Sequence, residues 1–179
     1  NGISFDNVSV KELGLSDATS IANYTYAAVK ASAYWCHYNN TVDNGAIYGK
    51  LYNWFAVKLL QMDIELFGQS AFGWRVPTKA DFVALSTYLG GESVSGGKLK
   101  KEGTTYWNTP NTGADNSSGF SAIGGGLRDA GGVFSGNLVN TYIRSVEIAR
   151  YLSYIGSNFS ENSGFTNVLG SALRLIKTT

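Results

Sequence analysis

The chain has 179 residues, the size of one domain able to bury about 70% of its unfolded surface without a covalent staple. Charged residues make up 15% against a globular norm of about 25%, whereas 22 Gly and a 13% aromatic share exceed ordinary usage, so a loop-rich, aromatic-rich fold is expected. A net charge of +1 with no Lys/Arg run excludes the basic field of a nucleic-acid binder, and Cys36 and His37, each the sole residue of its type, exclude an intrachain disulfide and a cysteine-based zinc site.

No window approaches 18 consecutive apolar residues, so no bilayer-spanning helix is expected, and the opening at Asn1 without a leader pattern reads as a processed or trimmed piece. Val8, Val10, Leu13 and Leu15 among polar residues predict a short strand and loops. Tyr48, Leu51, Tyr52, Phe55, Leu59 and Met62 recur at spacings of three and four, which predicts an amphipathic helix over 48–62. Thr78 as N-cap with Asp81 three residues on opens a second helix, whose apolar face is Phe82, Leu85 and Leu89 and whose stop is Gly90-Gly91. The Gly-rich stretch 90–98 fails the phosphate-loop spacing and reads as a helix stop and turn. Beyond Lys101 short strands and loops are expected: a strand at Phe120, Ala122 and Ile123, a bend or bulge at 124–126, a hairpin arm at Val133 and Phe134, and a closing strand over 172–176. Helices early and antiparallel strands late make the fold class α+β, one domain over 1–179.

No catalytic set is expected. A triad needs a His base, and His37 sits beside Cys36 on what would be opposite faces of a strand, with no elbow motif near any Ser. Asp63 with Glu65, or Asp115 with Asp129, would form a glycosidase pair only if folding set them about 5–10 Å apart. Asn108, Asn111, Asp115 and Asn116 make an oxygen-rich loop open to two readings, a thinly charged calcium site or a turn capped by Asn and Asp side chains. No metal and no cofactor are expected. The more informative stretch is 137–170, where Tyr142, Tyr151, Tyr154, Phe159 and Phe165 are scattered among Ser, Gly and Asn. Such mixtures suit binding loops, because rigid aromatics supply contact area at low entropic cost and the small polar residues adapt. A Tyr-rich sheet edge with polar turns would have the same composition.

Several motifs follow one another in a specific order: Tyr48-Gly49-Lys50-Leu51-Tyr52-Asn53-Trp54-Phe55-Ala56-Val57, Gly73-Trp74-Arg75-Val76-Pro77-Thr78, Gly96-Gly97-Lys98-Leu99-Lys100, Trp107-Asn108-Thr109-Pro110-Asn111-Thr112-Gly113-Ala114, Gly119-Phe120-Ser121-Ala122 and Gly125-Gly126-Leu127-Arg128. Together they resemble the Fibrobacter succinogenes major paralogous domain over residues 34–177, with 1–33 as an N-terminal extension. The resemblance implies a C-type-lectin-like fold of the formylglycine-generating-enzyme type, with two main helices packed on short antiparallel strands and long loops. It does not carry over that family's oxidase activity, since no Cys follows Cys36, nor calcium-dependent sugar binding, since the lectin calcium motifs are missing.

Related lectin-fold proteins are the variable proteins of diversity-generating retroelements, in which adenine mutagenesis of Asn codons ending in C cannot yield Trp, Met, Lys, Gln or Glu. Residues 137–176 contain none of these except Glu147 and Glu161. Arg150, Leu152 and Tyr154 match the family's fixed Arg, Leu and Tyr and alternate with Tyr151, Ser153 and Ile155. Where the family shows a Trp-Trp-Ser-Ser-Thr-Glu run, this chain departs, with Ile143-Arg144-Ser145-Val146-Glu147. The resemblance thus implies a non-enzymatic recognition domain, its contacts expected at Tyr142, Arg144, Val146, Ile148, Tyr151, Ser153, Ile155, Asn158, Phe159, Ser160, Asn162, Phe165 and Asn167. The expected setting is extracellular, on a virion tail or bacterial surface, with a protein or glycan ligand on a cell, no nucleic acid, no membrane insertion, and homo-oligomerisation left open. The alternative is a fixed adhesin or carbohydrate-binding domain with Trp107, Asn108, Asn111 and Asp115 as sugar contacts.

Overall fold

The computed structural model describes residues 20–21, 24–67 and 73–178. The strand expected around Val8 to Leu15 lies outside them. Among the described residues are five α-helices, and no helix is long and apolar enough to cross a membrane. The first elements are a two-stranded pair, β1 (Ser20–Ile21) and β2 (Tyr24–Thr25), then α1 (Tyr26–Ser32) and β3 (Trp35–His37).

The helix expected over 48–62 is two helices with a strand between them. α2 (Val42–Tyr48) ends at Gly49, whose φ of 75° is left-handed backbone that favours glycine. β4 (Lys50–Tyr52) then pairs antiparallel with β3, setting Leu51 opposite Cys36. Asn53 restarts the helix: its Oδ1 accepts the Ala56 N–H at 2.9 Å, an N-cap for α3 (Trp54–Phe67). The face that α3 buries includes Val57, Leu60 and Ile64, which form one apolar cluster with Val76.

After β5 (Trp74–Arg75), α4 (Lys79–Tyr88) begins as expected. Thr78 Oγ1 accepts the Asp81 N–H, the Asp81 carboxylate accepts the Thr78 N–H, and Phe82 and Leu89 are buried. Arg75 pairs with the same carboxylate, and this guanidinium holds Asp81 well below the usual carboxylate range.

The stretch read as a turn is instead α5 (Glu92–Leu99), starting just after Gly91. Its glycines serve close approach. The Gly97 N–H donates to Ser157 O at 3.0 Å, and a Cβ added at Gly96 or Gly97 would strike the backbone of Asn158 or Gly113. Gly97→Ala is therefore expected to destabilise the protein by about 1–3 kcal/mol despite alanine's better helix propensity. Thermal unfolding checks this, since each kcal/mol moves Tm by about 2–4 °C in a chain of this size. An unchanged Tm would mean that the helix shifts without loss.

The late half is the strand-rich part. β6 (Gly125–Arg128), β7 (Phe134–Asn137), β8 (Asn140–Arg144), β9 (Ala149–Ser153) and β10 (Ser160–Glu161) form one sheet in the order β10-β9-β8-β6-β7. All neighbours are antiparallel except β6 with β8. The hairpin arm at Phe134 is present, whereas the strand expected at Phe120 to Ile123 reduces to one bridge, Ala122 to Lys100. The expected closing strand is divided: Ala172 bridges Ile143, and β11 (Ile176–Lys177) pairs with β5. The fold is α+β. Its main core joins Phe82, Leu89, Leu99, Trp107, Ile143, Leu152 and Phe159 between the helices and one face of β8–β9.

Candidate binding face

Strand alternation sorts the side chains of β8 and β9 into two sets. Thr141 and Ile143 on β8, and Arg150 and Leu152 on β9, are buried, while Tyr142, Tyr151 and Ser153 keep partial exposure. Tyr142 lies opposite Tyr151, and Tyr151 opposite Ser160, so the three form a row across β8, β9 and β10. The two tyrosine rings stack with centroids 6.1 Å apart, and Phe165 stacks on Tyr142 at 4.8 Å. Burial, reinforced by Tyr151, pushes the Tyr142 phenol up, so it stays a neutral hydrogen-bonding group. Ile155 is 63% exposed, and Asn158, Asn162 and Asn167 are partly so.

Four of the expected contact residues turn inward. Phe159 has no exposed surface: β9 has ended by then, and its ring packs edge-on against Phe82 at 5.7 Å, with the Arg150 guanidinium 5.4 Å from its centroid. Arg144 is buried too, its Nη2 donating to Phe165 O at 3.3 Å and Thr166 O at 2.7 Å. Val146 and Ile148 pack against the two apolar clusters, because Ser145 Oγ accepts the N–H groups of Glu147 and Ile148 and tightens the β8–β9 turn. In that turn Val146 O also accepts the Trp54 indole N–H at 2.7 Å.

Of the cations beneath this face, the sequence marked Arg150 as framework and Arg144 as a contact, and Lys100 went unread. Lys100 is fully buried, and its Nζ donates to the carbonyls of Thr112, Ser153 and Gly156, each at 2.9 Å. Burial brings its ammonium down to about 8. Arg150 Nη1 donates to Phe159 O at 2.6 Å and to Glu92 at 2.9 Å. Burial lowers Arg144 to about 10, still charged at neutral pH. Lys100, Arg144 and Arg150 thus hold the segment from Ser153 to Thr166 by its backbone carbonyls. The alternation singled out Arg150 as framework, but no sequence spacing marks Lys100.

The other candidates come apart. Trp107 is fully buried with its indole N–H on Ala122 O, so it offers a sugar no surface. Asn111 is buried, donating to Lys101 O and Gly103 O, while Asp115 accepts from Ser117 and Asn116 pairs with Ser121, the arrangement of a capped turn. Among the described residues no group of three or more His, Cys, Asp or Glu could hold a metal. Cys36 is partly buried and its thiol pushed up by that burial, which disfavours the thiolate a nucleophile needs.

The family model described as Fibrobacter succinogenes major domain matches residues 6–147, and the chain belongs to that family. The match starts before the expected residue 34 and stops short of 177, just before β9. No curated protein and no solved structure matches the chain.

Proposed function

We propose that this chain is a non-enzymatic recognition domain on a C-type-lectin-like scaffold, a retroelement-diversified variable protein whose contacts come from the 142–169 region. The observation that carries the reading is the set of buried cations: Lys100, Arg144 and Arg150 grip carbonyls from Ser153 to Thr166, so the backbone path is held whatever side chains that segment bears. The family match ends at residue 147, so most of the segment proposed to vary lies beyond it. The contact set is Tyr142, Tyr151, Ser153, Ile155, Asn158, Ser160, Asn162, Phe165 and Asn167, without the inward-facing Phe159, Arg144, Val146 and Ile148. A face of about 800 Å² per partner suffices for specific binding, with the stacked aromatics as anchors. The ligand is a protein or glycan on a cell, met outside the producing cell by a phage tail or bacterial surface structure.

Sequencing this locus in sibling isolates tests the reading. Changes confined to adenine positions in the codons for 140–176, beside a near-identical template repeat, are the expected result, with the codons for Lys100, Arg144 and Arg150 constant. A uniformly invariant segment overturns it.

A further inference from the structure

Beyond the display face lies a cavity of ≈ 320 Å³ whose walls include Tyr34, Trp35, Cys36, Phe55, Arg128 and Val168. Its volume falls within the range of small-ligand sites. Three of the walls are aromatic, Tyr34, Trp35 and Phe55, and Tyr34 is 65% exposed at one side. Arg128 is the sole charged residue among the described residues that line it. Its guanidinium has no hydrogen bond or ion pair among the described residues; it lies 5.7 Å from the Phe134 ring centroid, and its Nε is a buried donor without an acceptor. Lys50 adds positive charge nearby, its Nζ 3.4 Å from the Trp35 ring centroid. Asn53, also in the wall, is already engaged with Tyr34, Ala56 and Ser32.

We propose that this cavity binds a small aromatic carboxylate, its anion on the Arg128 guanidinium and its ring against Tyr34, Trp35 and Phe55. A carboxylate matches the planar fork of a guanidinium that has no acceptor among the described residues. The flat apolar body suits the Tyr34, Trp35 and Phe55 rings. Arg128 and the three aromatics lie in the family-matched residues, so the charge and the rings of the site belong to the scaffold, while Val168 and Gly170 fall in the segment proposed to vary.

Titration of the full chain with 3-phenylpropionate, followed by calorimetry and Trp fluorescence, tests this against the neutral 3-phenylpropanamide. Saturable binding of the acid in the millimolar range or tighter is expected, with the amide at least about tenfold weaker. Arg128→Gln should lose the acid's advantage, with thermal unfolding as the check that it folds. Val168→Trp, which narrows the cavity at a residue that is 53% exposed and leaves the arginine in place, should weaken the acid by a similar factor. No saturable binding, equal binding of acid and amide, or acid binding that survives Val168→Trp overturns the proposal.

Discussion

Phe159→Ala is expected to destabilise the protein by about 3–5 kcal/mol, whereas Tyr151→Ala costs about 1 kcal/mol. Both aromatics belong to the same Tyr- and Ser-rich segment, and by composition they are equivalent. Their surroundings are not. The Phe159 ring fills space against Phe82 in the main core, where truncation leaves a cavity that close-packed neighbours fill only in part. Its loss also strips the apolar cover from Arg150, whose guanidinium lies over that ring. Tyr151 gives up one stacking partner, Tyr142, on a face already open to water. Thermal unfolding separates them: a fall of about 6–20 °C is expected for Phe159→Ala and about 2–4 °C for Tyr151→Ala. Equal falls would place Tyr151 in the core and remove it from the contact set.

The same contrast marks how far the sequence could be read. Period-two alternation held from Arg150 to Ser153 of β9, where Arg150 and Leu152 are buried and Tyr151 and Ser153 are not, because successive strand residues point to opposite faces; only Ala149, at the tight β8–β9 turn, departs from it. It fails at Phe159, in the loop after the strand, where nothing local specifies which way a side chain turns. Thr78 and Asp81 were legible as a helix start because their hydrogen bonds span three residues. The 48–62 helix was misread because Tyr48, Leu51 and Tyr52 happen to keep helical spacing across Gly49, although Tyr52 pairs with the distant Ser171 and Leu51 with Cys36. α5 was missed for the opposite reason. Gly96 and Gly97 weaken any local helix signal, and their purpose, room for the backbones at 113 and 158, comes from segments far along the chain. Buried Trp107 and Lys100 are likewise tertiary outcomes.

Raising the pH from about 8 to 10.5 is expected to add about 3 kcal/mol of stability through Lys100 alone, an increment that Lys100→Met abolishes. The sign follows from the depressed ammonium. In the unfolded chain Lys100 keeps its proton up to about 10.5, while in the folded chain it gives the proton up from about 8, so between those values the unfolded state binds more protons and stability rises with pH. Below about 8 both states are protonated and the folded protein bears the full cost of burying the charge. Three carbonyls at 2.9 Å offset that cost only in part, because none of these partners carries a negative charge. Denaturant unfolding of wild type and Lys100→Met at pH 7, 8.5 and 10 isolates the effect, since tyrosines that titrate in the same range contribute to both proteins. Parallel pH dependences would show that solvent reaches Nζ. The cost itself bears on function. A buried Met would fill the same space without the charge, yet it could not tie Thr112, Ser153 and Gly156 to one point. A cation that binds main-chain oxygen from three loops fixes the path of a segment without reading its side chains, and a surface whose residues change needs that kind of support.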